Sequence, residues 1–253
     1  MRIALISDIH GHATGLDAVL NDIAGQAVDT IVCLGDVATI GPQPREVVAR
    51  LRRLGCPVVM GNHDAALLNP AAAEDYHIAP VLWPSLEWCA RQLGPEDMAY
   101  LKSFRPTIEL SLGANTSLLC FHGSPRSPIE LVLATTPAAE LEIYFAGQPA
   151  AVLAGGHSHI QMLRQHLGQL VVNPGSVGHP FLRPASPGIT PTLMRWAEYA
   201  IVQCVDECLS VELRRVPFDV DAFFAVVAAS SLPIKDMLLQ QYAPQGIKDL
   251  GRY

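Results

Sequence analysis

Along the first sixty residues the apolar positions switch between two periods. Arg2-Ile3-Ala4-Leu5-Ile6-Ser7 is apolar almost throughout and predicts a strand with no wet face, whereas Leu16, Val19, Leu20 and Ile23 follow at i, i+3, i+4 and i+7, one face of a helix. The cycle repeats. Thr30 to Leu34 is a second strand, and the loop Gly41-Pro42-Gln43-Pro44 leads into a helix with Val47, Val48, Leu51 and Leu54 inward and Gly55 as its stop. Pro57 to Met60 is a third apolar run. Strand, helix, strand, helix, strand, with strands this apolar, predicts right-handed crossovers in a mainly parallel sheet, an α/β fold.

Beyond residue 64 the pattern loosens. Residues 65 to 82 read as a mixed loop, and Trp83 to Leu93 and Pro95 to Phe104 as two helices broken by Gly94-Pro95. Three hairpins are predicted from paired apolar runs: Thr107 to Leu112 with Thr116 to Phe121, Met162 to His166 with Gln169 to Val172, and Tyr199 to Val205 with Leu209 to Val216. Between the first two lie a helix, Pro137 to Phe145, and a strand, Ala150 to Ala154. Residues 177 to 195 carry four prolines and no periodicity, an irregular loop of the kind that rims a site. Val220 to Ala229 and Pro233 to Tyr242 predict C-terminal helices within about 219–242.

Composition narrows the class. Of 253 residues, 50% are hydrophobic and 16% charged, which excludes a disordered chain and suits strands covered on both faces. No linker-like run divides the sequence, so residues 1–253 read as a single domain. No apolar run reaches the length of a membrane helix and the strand at Ile3 follows Met1-Arg2 without a signal peptide, so a cytoplasmic protein with no membrane partner is expected. The six cysteines contain no C-x-x-C pair and mostly sit inside apolar runs, as buried thiols do; a hairpin accounts for the spacing of Cys204 and Cys208. A formal net charge of −7 argues against long nucleic acid as a partner. It does not exclude a small phosphorylated substrate, because a metal site supplies local positive charge whatever the global balance.

The candidate chemistry lies where the apolar runs stop. Five of them end in Asp8-x-His10, Gly35-Asp36, Gly61-Asn62-His63-Asp64, His122-Gly123 and Gly156-His157-Ser158-His159. Each taken alone has a bland reading, since Gly, Asn and Asp are common turn residues and a lone histidine often sits satisfied in a core. Together they are hard to explain as turns. In an open α/β sheet the carboxyl ends of the strands share one edge, so residues ~150 positions apart converge there. Two carboxylates, four imidazoles and an amide oxygen (Asp8, Asp36, His10, His122, His157, His159 and Asn62) are too many ligands for one ion. Two ions about 3.5–4 Å apart, bridged by a shared carboxylate, fit that count and form the clamp used to hydrolyse phosphate esters. Such a ligand set suits Mn, Fe, Zn, Co or Ni.

This set of motifs, in this order, resembles the calcineurin-like metallophosphoesterases, and within them the compact prokaryotic phosphodiesterase-type members that carry Ser-Asp-Ile-His-Gly at the start and Asn-Pro-Gly-Ser after the last ligand. The resemblance covers residues 1 to about 176. It implies a four-layer α/β/β/α sandwich of two mixed sheets. It also implies one ion on Asp8, His10, Asp36 and His159 and a second on Asp36, Asn62, His122 and His157, with Asp36 bridging; His63 would face the substrate, positioned by Asp64. His12 stands where such relatives usually have Asn, and the loop at 177–195 is longer than expected.

The activity that follows is dinuclear metal-dependent hydrolysis of a small phosphodiester or phosphoanhydride, such as a dinucleoside polyphosphate or cyclic nucleotide, by in-line attack of a metal-bridging hydroxide with His63 as donor. The flanking segments hold few arginines for a monoester's extra charge; Arg126 and Arg183 are the nearest basic residues in sequence and the candidates for a phosphate oxygen. The alternatives are a phosphomonoesterase or protein phosphatase on the same site, a dinuclear peptidase or amidase, and a non-catalytic scaffold. The intact donor set argues against the last. A monomer or small homo-oligomer is expected.

Overall fold

The computed structural model describes residues 1–184 and 190–242. In chain order it contains β1 (Arg2–Ile6), α1 (Ala13–Ala24), β2 (Thr30–Cys33), α2 (Pro44–Leu54), α3 (Asn62–Leu68), 3-10 turns at Pro70–Ala72 and Pro80–Leu82, α4 (Trp83–Gln92) and α5 (Pro95–Lys102). There follow β3 (Ile108–Gly113), β4 (Thr116–Cys120), α6 (Ala138–Tyr144), β5 (Val152–Ala154), β6 (Met162–His166), β7 (Gln169–Asn173), β8 (Phe181–Arg183) and β9 (Thr192–Leu193). The last elements are β10 (Trp196–Val205), β11 (Cys208–Pro217), α7 (Val220–Ala229) and α8 (Lys235–Gln241).

Two mixed sheets form, ordered β11-β10-β1-β2 and β3-β4-β5-β7-β6, with β8 and β9 as a separate ribbon. The first is not mainly parallel, as the opening pattern suggested: β1 runs parallel to β2, but β10 lies antiparallel to both β1 and β11. The reason is the long hairpin β10–β11, whose two turn residues Asp206 and Glu207 both take positive φ, the backbone that matches strand twist in a two-residue turn. Its register sets Val205 opposite Cys208, which accounts for the cysteine spacing. The run Pro57 to Met60 is reduced to isolated parallel bridges, Cys33 with Val58 and Val59 with Arg105.

Alternation along the strands places each layer. In β1, Ile3 and Leu5 face Leu118, Cys120, Val152 and Val172 of the second sheet, while Ala4 and Ile6 face Leu16, Val19, Val47 and Leu51 of α1 and α2. On the far side, Leu119, Leu153 and Val171 pack on Leu141 and Phe145 at α6. Helix, sheet, sheet, helix is therefore the order of layers. Phe223, Val227 and Leu238 of α7 and α8 join the first helical layer.

Local expectations were met unevenly. Leu16, Val19 and Ile23 are buried and Gly55 ends α2 at φ +64°, but Leu54 is exposed because it sits on the last turn, beyond the covered stripe. Residues 65 to 82 are a loop only in part: α3 begins inside the Gly61-Asn62-His63-Asp64 motif and runs to Leu68, with Asp64 at its third position accepting from the Gly61 N–H, and irregular turns follow. Within 177–195 the described residues form β8 and β9, where Phe181 pairs with Leu193. Residues 185–189 of that expected loop lie outside the described residues. Among the described residues no helix is long and apolar enough to cross a membrane.

Candidate metal centre

The seven expected ligands come together at the carboxyl ends of the strands. Asp8 and His10 follow β1, Asp36 follows β2, Asn62 opens α3, His122 follows β4, and His157 and His159 follow β5. Six of them fall into two groups whose ligand atoms lie within 4.8 Å of one another: Asp8, His10 and His159, and Asp36, His122 and His157. Asp36 sits between the groups, its Oδ2 3.2 Å from His122 Nε2 and 3.8 Å from His10 Nε2. Asp8 Oδ1 likewise stands 3.3 Å from His159 Nε2 and 4.0 Å from His122 Nε2. Asn62 Oδ1 is 3.1 Å from His122 Nε2, while its Nδ2 donates to the Tyr76 carbonyl and so turns the oxygen toward the site.

The backbone is bent to achieve this. Asp8, His10, Asp36, His157 and His159, five of the seven, hold φ between 48° and 66°, a region that non-glycine residues seldom occupy and that collects at functional sites. Close approach accounts for two glycines. A side chain on Gly61 would fall onto Asp36 Oδ1, and one on Gly156 onto Ser7 Oγ and Asp8 Oδ2. Gly61 has an ordinary φ of −83°, so space and not conformation demands it. The Asn-Pro-Gly-Ser segment is a brace: Asn173 Nδ2 donates to the Gly156 carbonyl at 2.6 Å and to Ser158 Oγ at 3.0 Å, and Ser176 Oγ donates to the Asp8 carbonyl at 2.7 Å.

The donor chemistry fits cations. His122 Nδ1 lies 2.7 Å from the Leu34 carbonyl and His159 Nδ1 2.8 Å from the His179 carbonyl. A carbonyl only accepts, so each Nδ1 carries a proton and each neutral ring aims an Nε2 lone pair into the site. His10 Nε2 is only 3.1 Å from His159 Nε2, and Asp8 Oδ1 is buried with no hydrogen-bond partner. Converging lone pairs of this kind need positive charge between them. When no cation supplies it, protons do. Burial would push His122 down, but the carboxylates of Asp36 and Asp8 raise it to about 10; His159 is also raised, against burial, mainly by Asp8. Both carboxylates are lowered against burial, Asp8 first by His159 and Asp36 first by His122. His157 is lowered to about 4 by burial and by the His122 charge.

His63 and Asp64 do not pair. His63 stands edge-on to His10 with ring centroids 4.9 Å apart, and its Nδ1 is buried without a partner. The Asp64 carboxylate instead accepts the backbone N–H groups of Asp36 at 2.7 Å, Val37 at 2.8 Å and Gly61 at 3.2 Å. The positioning role expected of Asp64 therefore falls on the loop of Asp36, because α3 points the acid away from the imidazole next to it. Burial, followed by the charge of Asp36, raises Asp64 to about 7.

The arginines divide. Arg126 is on the rim near His122, but its guanidinium reaches the Ile143 carbonyl at 3.1 Å and Glu130 at 3.5 Å. Arg183 is exposed on β8, two residues from Phe181, whose ring stacks on His159 at 4.8 Å and 11°. Sequence reasoning missed Phe181, Thr39, whose hydroxyl meets His10 Nδ1 at 3.0 Å, and His179, a buried ring 5.3 Å from that of His10. No motif announces them. His12, singled out only for its residue type, caps α1 by accepting from Gly15 N–H and stacks on Phe223 of α7 at 3.6 Å and 9°.

A fold of two mixed sheets with histidines and aspartates gathered at their shared edge defines a metal-dependent phosphoesterase. The calcineurin-like phosphoesterase superfamily domain matches residues 1–194, and the chain belongs to that superfamily. It is 29% identical over 246 residues to an uncharacterized protein of Methanocaldococcus jannaschii, covering 91% of this chain and 93% of that one. A metallophosphoesterase from Sphaerobacter thermophilus superimposes with a TM-score of 0.71 at 28% identity, over 95% of this chain and 98% of the other. A symmetrical bis(5'-nucleosyl)-tetraphosphatase of Baumannia cicadellinicola is 41% identical over 71 residues, 27% of this chain and 25% of its own length.

Proposed function

We propose that this protein hydrolyses a small phosphodiester or phosphoanhydride at a two-ion site. The observation that carries the reading is the pair of ligand groups sharing the space around Asp36, with the half-buried imidazole of His63 beside them, whose buried Nδ1 has no other partner. Asp8, His10 and His159 would hold one ion and Asp36, Asn62, His122 and His157 the other, with Asp36 reaching toward both. Bound there, transition-metal ions supply charge for the phosphoryl oxygens and acidify water.

The chain's own residues do the rest. Burial lowers His63, which keeps the ring neutral near pH 7 with one N–H to donate to the charge developing on phosphorus or on the leaving oxygen. Asp64 holds the loop of Asp36 by two backbone bonds, from Asp36 and Val37, with a third from Gly61, and so fixes the carboxylate between the groups. Arg183 at the rim is the cation available to a second phosphate, since Arg126 is engaged with Glu130 and Ile143.

Few cations near the site favour a diester's single negative charge over a monoester's two. The tetraphosphatase named among the relatives supports a phosphoanhydride of a nucleotide as one candidate. The test compares kcat/KM with Mn²⁺ for bis-aryl phosphate, aryl monophosphate and a diadenosine polyphosphate under one condition. The diester or the polyphosphate is expected to lead; an aryl monophosphate at least tenfold better than both would make the enzyme a phosphatase.

A further inference from the structure

A cleft opens beside the second ligand group, and its chemistry is unlike that of the centre. It encloses about 290 Å³ and is lined by His122 at its inner end and by Met60, Tyr76, Pro106, Pro125 and Pro128 along its walls. That is the lower end of the ~300–1,000 Å³ that small-molecule pockets span, room for one ring system and not for two nucleosides. The walls offer flat or polarisable apolar faces. Of the polar groups among them, Ser124 Oγ is occupied, donating to Glu130 and accepting the N–H groups of Arg126 and Ser127, whereas the Tyr76 hydroxyl has no partner among the described residues and the Ser127 hydroxyl accepts from Ile129 and keeps its proton free. The Arg126 guanidinium is shared between Ile143 and Glu130.

The cleft is also tied to the centre. Tyr76 accepts from Asn62 through its backbone carbonyl, and His122, the inner wall, sits within reach of Asp36. An ester whose phosphoryl group lay among the ligands would therefore present its organic group here. We infer that this cleft receives one planar ring of the phosphoester, aryl or nucleobase alike, by stacking and apolar contact. Stacking tolerates any ring with a π-face, and the aromatic side chain of Tyr76 is among the walls. The cleft suits a second phosphate less well, since among the described residues its one lining guanidinium, that of Arg126, is already shared between Ile143 and Glu130. This deepens the two-ion phosphoesterase reading and rests on it for the placement of the phosphoryl group.

The test uses binding, so it stands apart from turnover. Titration calorimetry on Mn²⁺-loaded protein would compare four non-hydrolysable ligands: methylphosphonate, phenylphosphonate, the phosphonate analogue of adenosine monophosphate, and methylenediphosphonate. Phenyl and adenosine ligands should each bind roughly tenfold or more tighter than methylphosphonate, and methylenediphosphonate should gain no such advantage. Tyr76→Ala, and separately Ser127→Trp to fill the cleft, should shrink that gap below about threefold. Equal affinity for phenyl- and methylphosphonate in the wild type would overturn the inference, whatever the variants do. So would a ring preference that survives both variants, or methylenediphosphonate binding as tightly as the ring-bearing ligands. If the ring preference holds but no phosphoester is turned over, the catalytic reading fails while the cleft stands.

Discussion

His63 is the residue whose role is most exposed to test. It donates its backbone N–H to Asp36 Oδ1 at 2.9 Å, but its ring offers nothing to the ligand groups that they lack. His63→Ala keeps that backbone bond, so Mn²⁺ content measured on purified protein should stay near that of the wild type. Removal of a positioned donor should lower kcat by roughly 10²–10⁴-fold. Loss of metal in the variant would instead make the imidazole a ligand. Side-chain identity was the most legible level of the molecule: Asp8, His10, Asp36, Asn62, His122, His157 and His159 were recognisable because ligand types recur where apolar runs stop. Phe181 and Thr39 were not, because contact with a ligand ring leaves no trace in residue type or spacing.

Between elements, the link that matters is the one from α3 to the loop after β2. One carboxylate, Asp64, receives three N–H groups from two chain segments, Asp36–Val37 and Gly61, so it acts as a strut. Asp64→Asn places an amide NH₂ against at least one of those donors and removes charge-assisted bonds, at a cost of about 2–3 kcal/mol. The expected outcome is a lower Tm and weaker Mn²⁺ binding. A mere orienter of His63 would leave both unchanged and reduce only kcat, which separates the two roles. Strand period and hairpin turns were legible at this scale, since residues such as Gly168 and the pair Cys204/Cys208 mark where the chain reverses. The helical start of α3 was not, because the same four residues also spell a turn; nor was the partner of Asp64, which depends on the direction in which the helix leaves.

At the scale of the whole molecule, each ligand group draws on both sheets. Asp8, His10 and Asp36 hang from the first, and His122, His157 and His159 from the second. Binding ions there must displace the protons that answer the carboxylates on His122 and His159, so affinity should rise with pH, about tenfold per unit for each proton released. Metal-free protein should behave oppositely. His122 is raised from its unfolded value near 6.5 to about 10, so its contribution to stability is complete below pH 6.5 and is lost as pH rises through 10. Mn²⁺ competition at pH 6.5 and 8.0, with Tm of the metal-free protein at pH 7 and 9.5, checks both signs. Tighter binding at the lower pH, or a metal-free Tm that climbs with alkali, would contradict the assignment.

The inter-sheet core of Ile3, Leu5, Leu118, Val152 and Val172 is made of apolar side chains, which hold one sheet to the other by packing. A pair of ions bound at its open end would act as rivets through two plates. Parting the sheets would then require breaking coordination as well as exposing that core. Occupied ion sites would resist opening, and withdrawing the metal would loosen the seam along which the two sheets meet.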